Sequence, residues 1–354
     1  MKKYLLSLFI LFLFLGCNSD NDYDAQNGLI SGGIKDDTAL TTLYEKVYRT
    51  DANSSYEAII SLVESLKNLN QTQNQINLQE VQTKFKLFVL EQKKLEATFL
   101  ADVLNDNFLD TLGYMEYFHS GKNSDLVSEL NAIFRSQTNL AEALYKNSNK
   151  SITSLEYTLF GEDENISSLL NKMDERRSHA GLLMGEKIAT YSKLIKDFYI
   201  NDESFLNSME VSTSELLNQL IDSSYKLKEW RIGEATGIVK KYEGIIDKKK
   251  LEYYKSNFSI DAIIMILQTH LRILQNGLKS IASSAGATTQ ADAIEQTLQT
   301  AITLCKSFHA PLEDSLNDTK VKDLYNIVNV LQQEYTALIA SMNFTQKIIE
   351  ADGD

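Results

Sequence analysis

The residues that most often kink, staple or metallate a chain are scarce in this one: 354 residues contain one proline, two cysteines and four histidines. With Pro311 alone and only 15 glycines, there is too little turn punctuation for an all-β sandwich or barrel, whose short strands each need a breaker. No His-Glu-x-x-His, paired-cysteine metal motif or Gly-x-Ser-x-Gly elbow occurs, so the usual peptidase and hydrolase signatures are missing. None of the histidines, at 119, 179, 270 and 309, has a glutamate three residues later. His309 and Glu313 are four apart, but Pro311 stands between them and marks a helix start, which makes ligation by that pair the minor reading. Basic side chains are also in deficit, 35 against 48 acidic ones, for a net charge of −13. Such a chain repels phosphate backbones, which removes nucleic acid as a partner class; cations and basic peptides stay open, and plain solubility is the simpler explanation.

Long apolar runs are absent except at the very start. Residues 1–16, MKKYLLSLFILFLFLG, place two lysines before a twelve-residue apolar run from Tyr4 to Leu15 and a small residue before Cys17. The run is too short to span a bilayer and reads as a secretory signal. FLGC at 14–17 resembles a bacterial lipobox, which makes Cys17 the expected lipidated N-terminus and the outer membrane the expected address, facing the periplasm or the cell surface. Simple secretion is the alternative. Removing the signal takes Lys2 and Lys3 with it and moves the charge to −15. Residues 17–37, polar, acidic and glycine-bearing, suit a flexible tether. Acidic residues directly after the cysteine resemble a surface-export signal of lipoproteins. Cys305, in ITLCKSF, has no partner for a disulfide and reads as a buried, inert thiol.

What the chain does have is helical period. Ser54-x-x-Glu57 and Ser212-x-x-Glu215 each match a capping box that opens a helix. Ile260, Ile263, Ile264, Leu267, Leu271 and Leu274 form one stripe. Val321, Leu324, Val328, Leu331, Tyr335, Leu338 and Met342 form a bundle seam at alternating three- and four-residue steps. Breaks near 70–76, 119–124, 147–151, 161–166, 200–204, 245–257, 281–290 and 309–320 divide the chain into about nine or ten helices. The expected fold class is all-α, an up-and-down set of bundles. IASSAGATTQ, at 281–290, lacks the lysine of a phosphate loop and reads as a linker, and no helical repeat recurs.

The chemistry concentrates in SITSLEYTLFG at 151–161. As a helix it turns Ile152, Leu155 and Leu159 inward, and Thr153 and Glu156 leave together from a neighbouring face. Thr153-Ser-Leu-Glu156 is also a capping-box pattern, in which Glu156 folds back on its own backbone. The segment resembles the signature of the imelysin family, Gly-x-His-x-x-Glu followed by aromatic-Leu-Leu-aromatic-Gly. Glu156, Tyr157, Leu159, Phe160 and Gly161 match, whereas Ser151 replaces the glycine and Thr153 the histidine. Downstream, MDERRSHAGLL supplies the family's paired arginines as Arg176 and Arg177. LLNQLIDSSYKLKEWRIGEATG matches through Asn218, Lys228, Arg231, Ile232 and Gly233, and LEYYKSNFSIDAI through Glu252, Tyr254, Ser256 and Ser259. The likeness covers roughly residues 38–350.

The resemblance implies an exported protein of two helical bundles with a cleft between them, tied in the family to insulin cleavage by a metallopeptidase or to iron uptake. It places Glu156 and Thr153 in a cleft or metal site, with Ser256, Ser259, Tyr254 and Arg231 as ligand-cleft residues. Threonine at 153 is a weak ligand for zinc or iron where the family has imidazole, so a divalent metal is expected weakly bound or absent. The plainer structural roles are a surface or interhelical ion pair for each arginine, an N-cap for Ser259, and packing for Tyr253 and Tyr254. The resulting expectation is a lipid-anchored, non-catalytic envelope component that acquires iron or a metal-bearing ligand, with metal, haem or peptide as candidate ligands. A metallopeptidase of the imelysin type and a structural or adhesion lipoprotein are the alternatives.

Overall fold

A computed structural model describes residues 37–162 and 165–347. The signal at 1–16, Cys17 and all of the tether but Asp37 lie outside the described residues. Among the described residues there is no strand, and nine α-helices reach nine residues or more. We label them α1 (Thr50–Gln71), α2 (Gln75–Glu96), α3 (Asn123–Arg135), α4 (Ile152–Phe160), α5 (Glu175–Asn201), α6 (Met209–Lys228), α7 (Ser259–Ile273), α8 (Thr288–Lys306) and α9 (Thr319–Ser341). No helix among the described residues is long and apolar enough to cross a membrane.

Helices α1, α2 and α5 pack as one bundle, with α3 and α4 laid across it, and α6, α7, α8 and α9 form the second. Seam residues Val321, Leu324, Val328, Leu331, Tyr335 and Leu338 of α9, and Met342 just past its end, are all buried, as the period requires. On α7 the buried stripe is rotated from the expected one. Ala262, Ile263, Ile266, Leu267, His270 and Ile273 face inward, while Ile260, Ile264 and Leu271 are only partly covered. The two bundles share one continuous apolar core, because α2 packs against α7 and the short helix Asp37–Leu43 packs on the π-turn Leu274–Leu278. That second contact is close: a Cβ on Gly277 would lie 2.6 Å from the carbonyl oxygen of Ala39.

Both capping-box expectations move. Ser54 lies within a helical run that enters through Asp37–Leu43 and the π-turn Tyr44–Arg49, so no orphan amides exist there for it to cap. Ser208 caps α6 by accepting from the Val211 amide, and Ser212, inside the helix, donates instead to the Phe205 carbonyl at 2.5 Å. The 281–290 linker is shorter than its composition implies, since Lys279–Ser284 is helical and α8 opens at Thr288. Cys305 is buried, and burial pushes its thiol up to about 12, consistent with an unreactive group.

Candidate functional site

Helix α4 is held at both ends by side chains rather than by its own sequence ends. Ser151 accepts from the Ser154 amide at 3.2 Å, so Ser151, not Thr153, is the N-cap. Beyond Phe160 the backbone turns at Gly161 with φ 69°, a left-handed value that favours glycine. The Arg177 guanidinium then donates to the Thr158 carbonyl at 3.0 Å, satisfying an orphan acceptor, and to the Tyr157 carbonyl at 2.9 Å, which the Gly161 amide also bonds, and so places a cation at the negative end of the helix. Arg176 reaches across to α3 and donates to the Ile133 carbonyl at 2.8 Å.

So fixed, α4 aims Glu156 at a strained turn. Tyr253 and Asn257, with φ of 62° and 50°, are non-glycine residues in the left-handed region, and they bracket the 3-10 turn Tyr254–Ser256. Glu156 Oε1 accepts from the Ser256 amide at 2.9 Å and from its hydroxyl at 2.7 Å. The glutamate is buried, and burial raises its carboxyl above the ordinary range against the opposing pull of Lys255 and the two bonds from Ser256. It does not fold back on its own helix. Thr153 donates to Glu116 Oε1, which also accepts from the Tyr117 amide at 2.7 Å and the Phe118 amide at 3.1 Å. Tyr253 donates to Glu116 Oε2 at 3.3 Å. Burial, with Glu252 nearby, raises Glu116 as well.

Behind this pair lies a closed ring of charge. Glu252 accepts from Lys93 at 2.5 Å and from Arg231 at 2.7 Å, and Glu96 bonds to both cations, to Arg231 at 2.5 Å. Arg231 is carried inward by the π-turn Glu229–Gly233 that continues α6. Burial alone would lower Lys93, but Glu252 and Glu96 reverse it and hold the ammonium above its usual value. Glu96, a quarter exposed, meets the opposite outcome: burial pushes it up, and Lys93 and Arg231 overcome that to leave it at about 2.

The six residues singled out from the sequence therefore divide. Glu156 and Ser256 bond directly, whereas Thr153 bonds to Glu116, which reaches Ser256 only by way of Tyr253: the Tyr253 hydroxyl donates to Glu116 and its carbonyl accepts from the Ser256 hydroxyl at 3.1 Å. Arg231 belongs to the ring. Ser259 is turned elsewhere, donating to the Glu252 carbonyl and to Glu313 Oε1, and Phe258 rather than Ser259 stands at the N-cap of α7. Tyr254 donates to Glu162 Oε1 at 2.9 Å. Sequence reasoning missed Glu116, Lys93, Glu96 and Lys255. The Lys93–Glu96 spacing was a visible signal of a helical ion pair, but nothing local announces that both would be walled in by Glu252 and Arg231.

Two spaces adjoin these residues. A cavity of about 10 Å³ beside Glu156 and Thr153, lined also by Phe118, Tyr253 and Lys255, is close to the room one water needs. The larger, a cleft of about 590 Å³, opens between the 118–127 segment of one half and the 234–254 segment of the other, with Tyr254 and Glu162 on its wall. His119, on that wall, stacks on Trp230 at 4.0 Å between ring centres and lies 2.7 Å from Glu234.

The donor set at 153 and 156 does not fit zinc or iron. It offers one carboxylate, already accepting two hydrogen bonds, and a hydroxyl that donates to Glu116, with an ammonium nearby. Among the described residues no three His, Cys, Asp or Glu side chains converge on one point. His270 is a core residue between Ser223 and Tyr335, lowered by burial to about 3 and hence neutral; His179 and His309 are exposed.

An all-helical pair of bundles with a polar cleft at the junction is the class that this fold and site define. Its fold is that of imelysin-like proteins, which bears out the resemblance read from the residues at the level of the fold. An imelysin-like protein from Psychrobacter arcticum 273-4 superposes with a TM-score of 0.73 at 16% identity, over 90% of this chain and 99% of that one. A protein assigned as an iron-regulated protein A precursor from Parabacteroides distasonis ATCC 8503 superposes with a TM-score of 0.64 at 11% identity, over 86% of this chain and 94% of that one. No family model matches the chain, and no curated protein does.

Proposed function

We propose that this is a non-catalytic binding component of the cell envelope, anchored in the outer membrane by lipid on Cys17, that takes its ligand in the 590 Å³ cleft during iron acquisition. The observation that carries the reading is the state of the carboxylates: Glu156, Glu116, Glu252 and Glu96 are each engaged by hydrogen bonds or ion pairs inside the protein. Metal-assisted hydrolysis needs an ion with an open position and a base beside it. Here Glu156 Oε1 is held by both the amide and the hydroxyl of Ser256, whereas the nearby cleft is open. The link to iron is supported by the description of one similarly folded protein as iron-regulated.

Equilibrium dialysis of the protein against free ferric and zinc ions and against ferric chelates, followed by elemental analysis, tests it. Uptake of a chelate, with Glu156→Gln taking up as much as wild type, is the expected outcome. Cleavage of an unfolded protein substrate that is lost both with a chelator and in Glu156→Gln would replace this reading with a metallopeptidase.

A further inference from the structure

In a chain with a net charge of −13, residues 240–255 contain six lysines, at 240, 241, 248, 249, 250 and 255, against three acids. Three of the six line the cleft, and Lys122 joins them from the opposite wall. The acids on the wall are already engaged. Glu234 lies 2.7 Å from the His119 ring nitrogen. Asp247 accepts from the Lys249 amide at 2.9 Å, and Glu162 takes the Tyr254 hydroxyl and sits 3.5 Å from Lys249. Among the described residues no carboxylate lies within ion-pairing distance of Lys122, Lys241 or Lys250. Lys250 instead sits 3.4 Å from the centre of the Tyr242 ring, and Lys241 lies 5.8 Å from the same ring. A cation–π contact leaves the ammonium hydrogens on the far side available to an incoming acceptor. The cleft thus presents three lysines that make no ion pair among the described residues, beside carboxylates that are each already hydrogen-bonded, on a protein of net negative charge.

Resting on the cleft as the ligand site, we infer that the ligand is a small oxygen-rich anion of the polycarboxylate type, bound either free or as a negatively charged ferric chelate. Ferric ion is hard and favours oxygen donors, so a polycarboxylate holds it and keeps carboxylates over to meet the lysines. A volume near 590 Å³ is within the usual range of small-molecule sites. Attraction between a lysine-lined cleft and such an anion is also screened by salt, which gives the proposal a signature independent of any variant.

The full chain in non-ionic detergent is titrated with citrate, ferric citrate and an uncharged ferric trihydroxamate, followed by calorimetry and by the fluorescence of Trp230, the only tryptophan, which stacks on the cleft residue His119. The expected result is binding of citrate, ferric citrate or both, weakening as salt is raised, and weaker by about tenfold or more in Lys122→Gln/Lys241→Gln/Lys250→Gln, with the arginine triple variant restoring it. Circular dichroism checks that the variants keep their helices. Citrate binding as tightly as its ferric complex identifies the free acid as the ligand; ferric citrate alone identifies the chelate. If the trihydroxamate binds equally to wild type and variant with no salt dependence, the anion inference falls and the binding reading stands. If none of the three binds, both fall.

Discussion

Asp51 is a carboxylate in the wrong medium: it is 1% exposed where α1 meets α7, one oxygen takes a bond from Arg272, and the other has no partner among the described residues. Burial pushes it up to about 6, against the pull of Arg272 and Lys94. In the unfolded chain an aspartate titrates near 3.9. The native state therefore holds the proton more tightly, and this group's contribution is fully present below about pH 4 and is lost as pH rises through about 6. The difference is on the order of 3 kcal/mol. Asp51→Asn isolates it: between pH 4 and pH 7, urea unfolding should show wild type losing about 3 kcal/mol relative to the variant. A difference flat across that range would show that the carboxyl is not shifted. Ser256 offers a second residue-scale test. Ser256→Ala leaves Glu156 Oε1 with the backbone amide alone, and a loss of about 1–3 kcal/mol in unfolding free energy is expected. No change would mean that the hydroxyl bond adds nothing in solution.

At the scale of elements, the ring of Lys93, Glu96, Arg231 and Glu252 ties α2, the π-turn after α6 and the segment before α7 into one unit. Removing one member of such a set strands the others. Lys93→Met should cost about 3–5 kcal/mol, and Lys93→Met/Glu252→Gln clearly less than the sum of the two single changes, measured as a double-mutant cycle by denaturant unfolding. Additive losses would mean that the two side chains do not act together. This ring also marks where sequence reading stopped. The seam of α9 was legible because a helix burying one face must repeat every three to four residues. Glu156 and Ser256 were legible because each stood in a recognisable local pattern. The cap of α4 was not, since Ser151 and Thr153 are both good caps and only the path of the preceding chain selects between them. Nor was the ring, whose members are separated by up to 159 residues and meet through tertiary packing alone.

The whole molecule raises a different question, whether two bundles make two folding units. Length argues for division, because cores beyond some 250–300 residues tend to split into separate domains. The packing argues against it. Helix α2 belongs to the first bundle yet packs on α7 of the second, and Asp37–Leu43, which leads into α1, lies on the π-turn after α7 close enough that Gly277 admits no Cβ without a shift. Lys93 and Glu252 join the halves by charge, as do Asp51 and Arg272. Opening either bundle alone would expose the other's buried face and strand these charges, so neither has a stable intermediate to stop at. Unfolding should accordingly be a single transition: one calorimetric endotherm whose enthalpy equals the van't Hoff value, with the Trp230 fluorescence change coincident with loss of helical dichroism. Gly277→Ala, which strains only the contact between halves, should lower that one midpoint without splitting it. A second endotherm, or a fluorescence transition displaced from the dichroism, would mean that the shared core is too weak to couple the bundles and that the cleft can open while both stay folded.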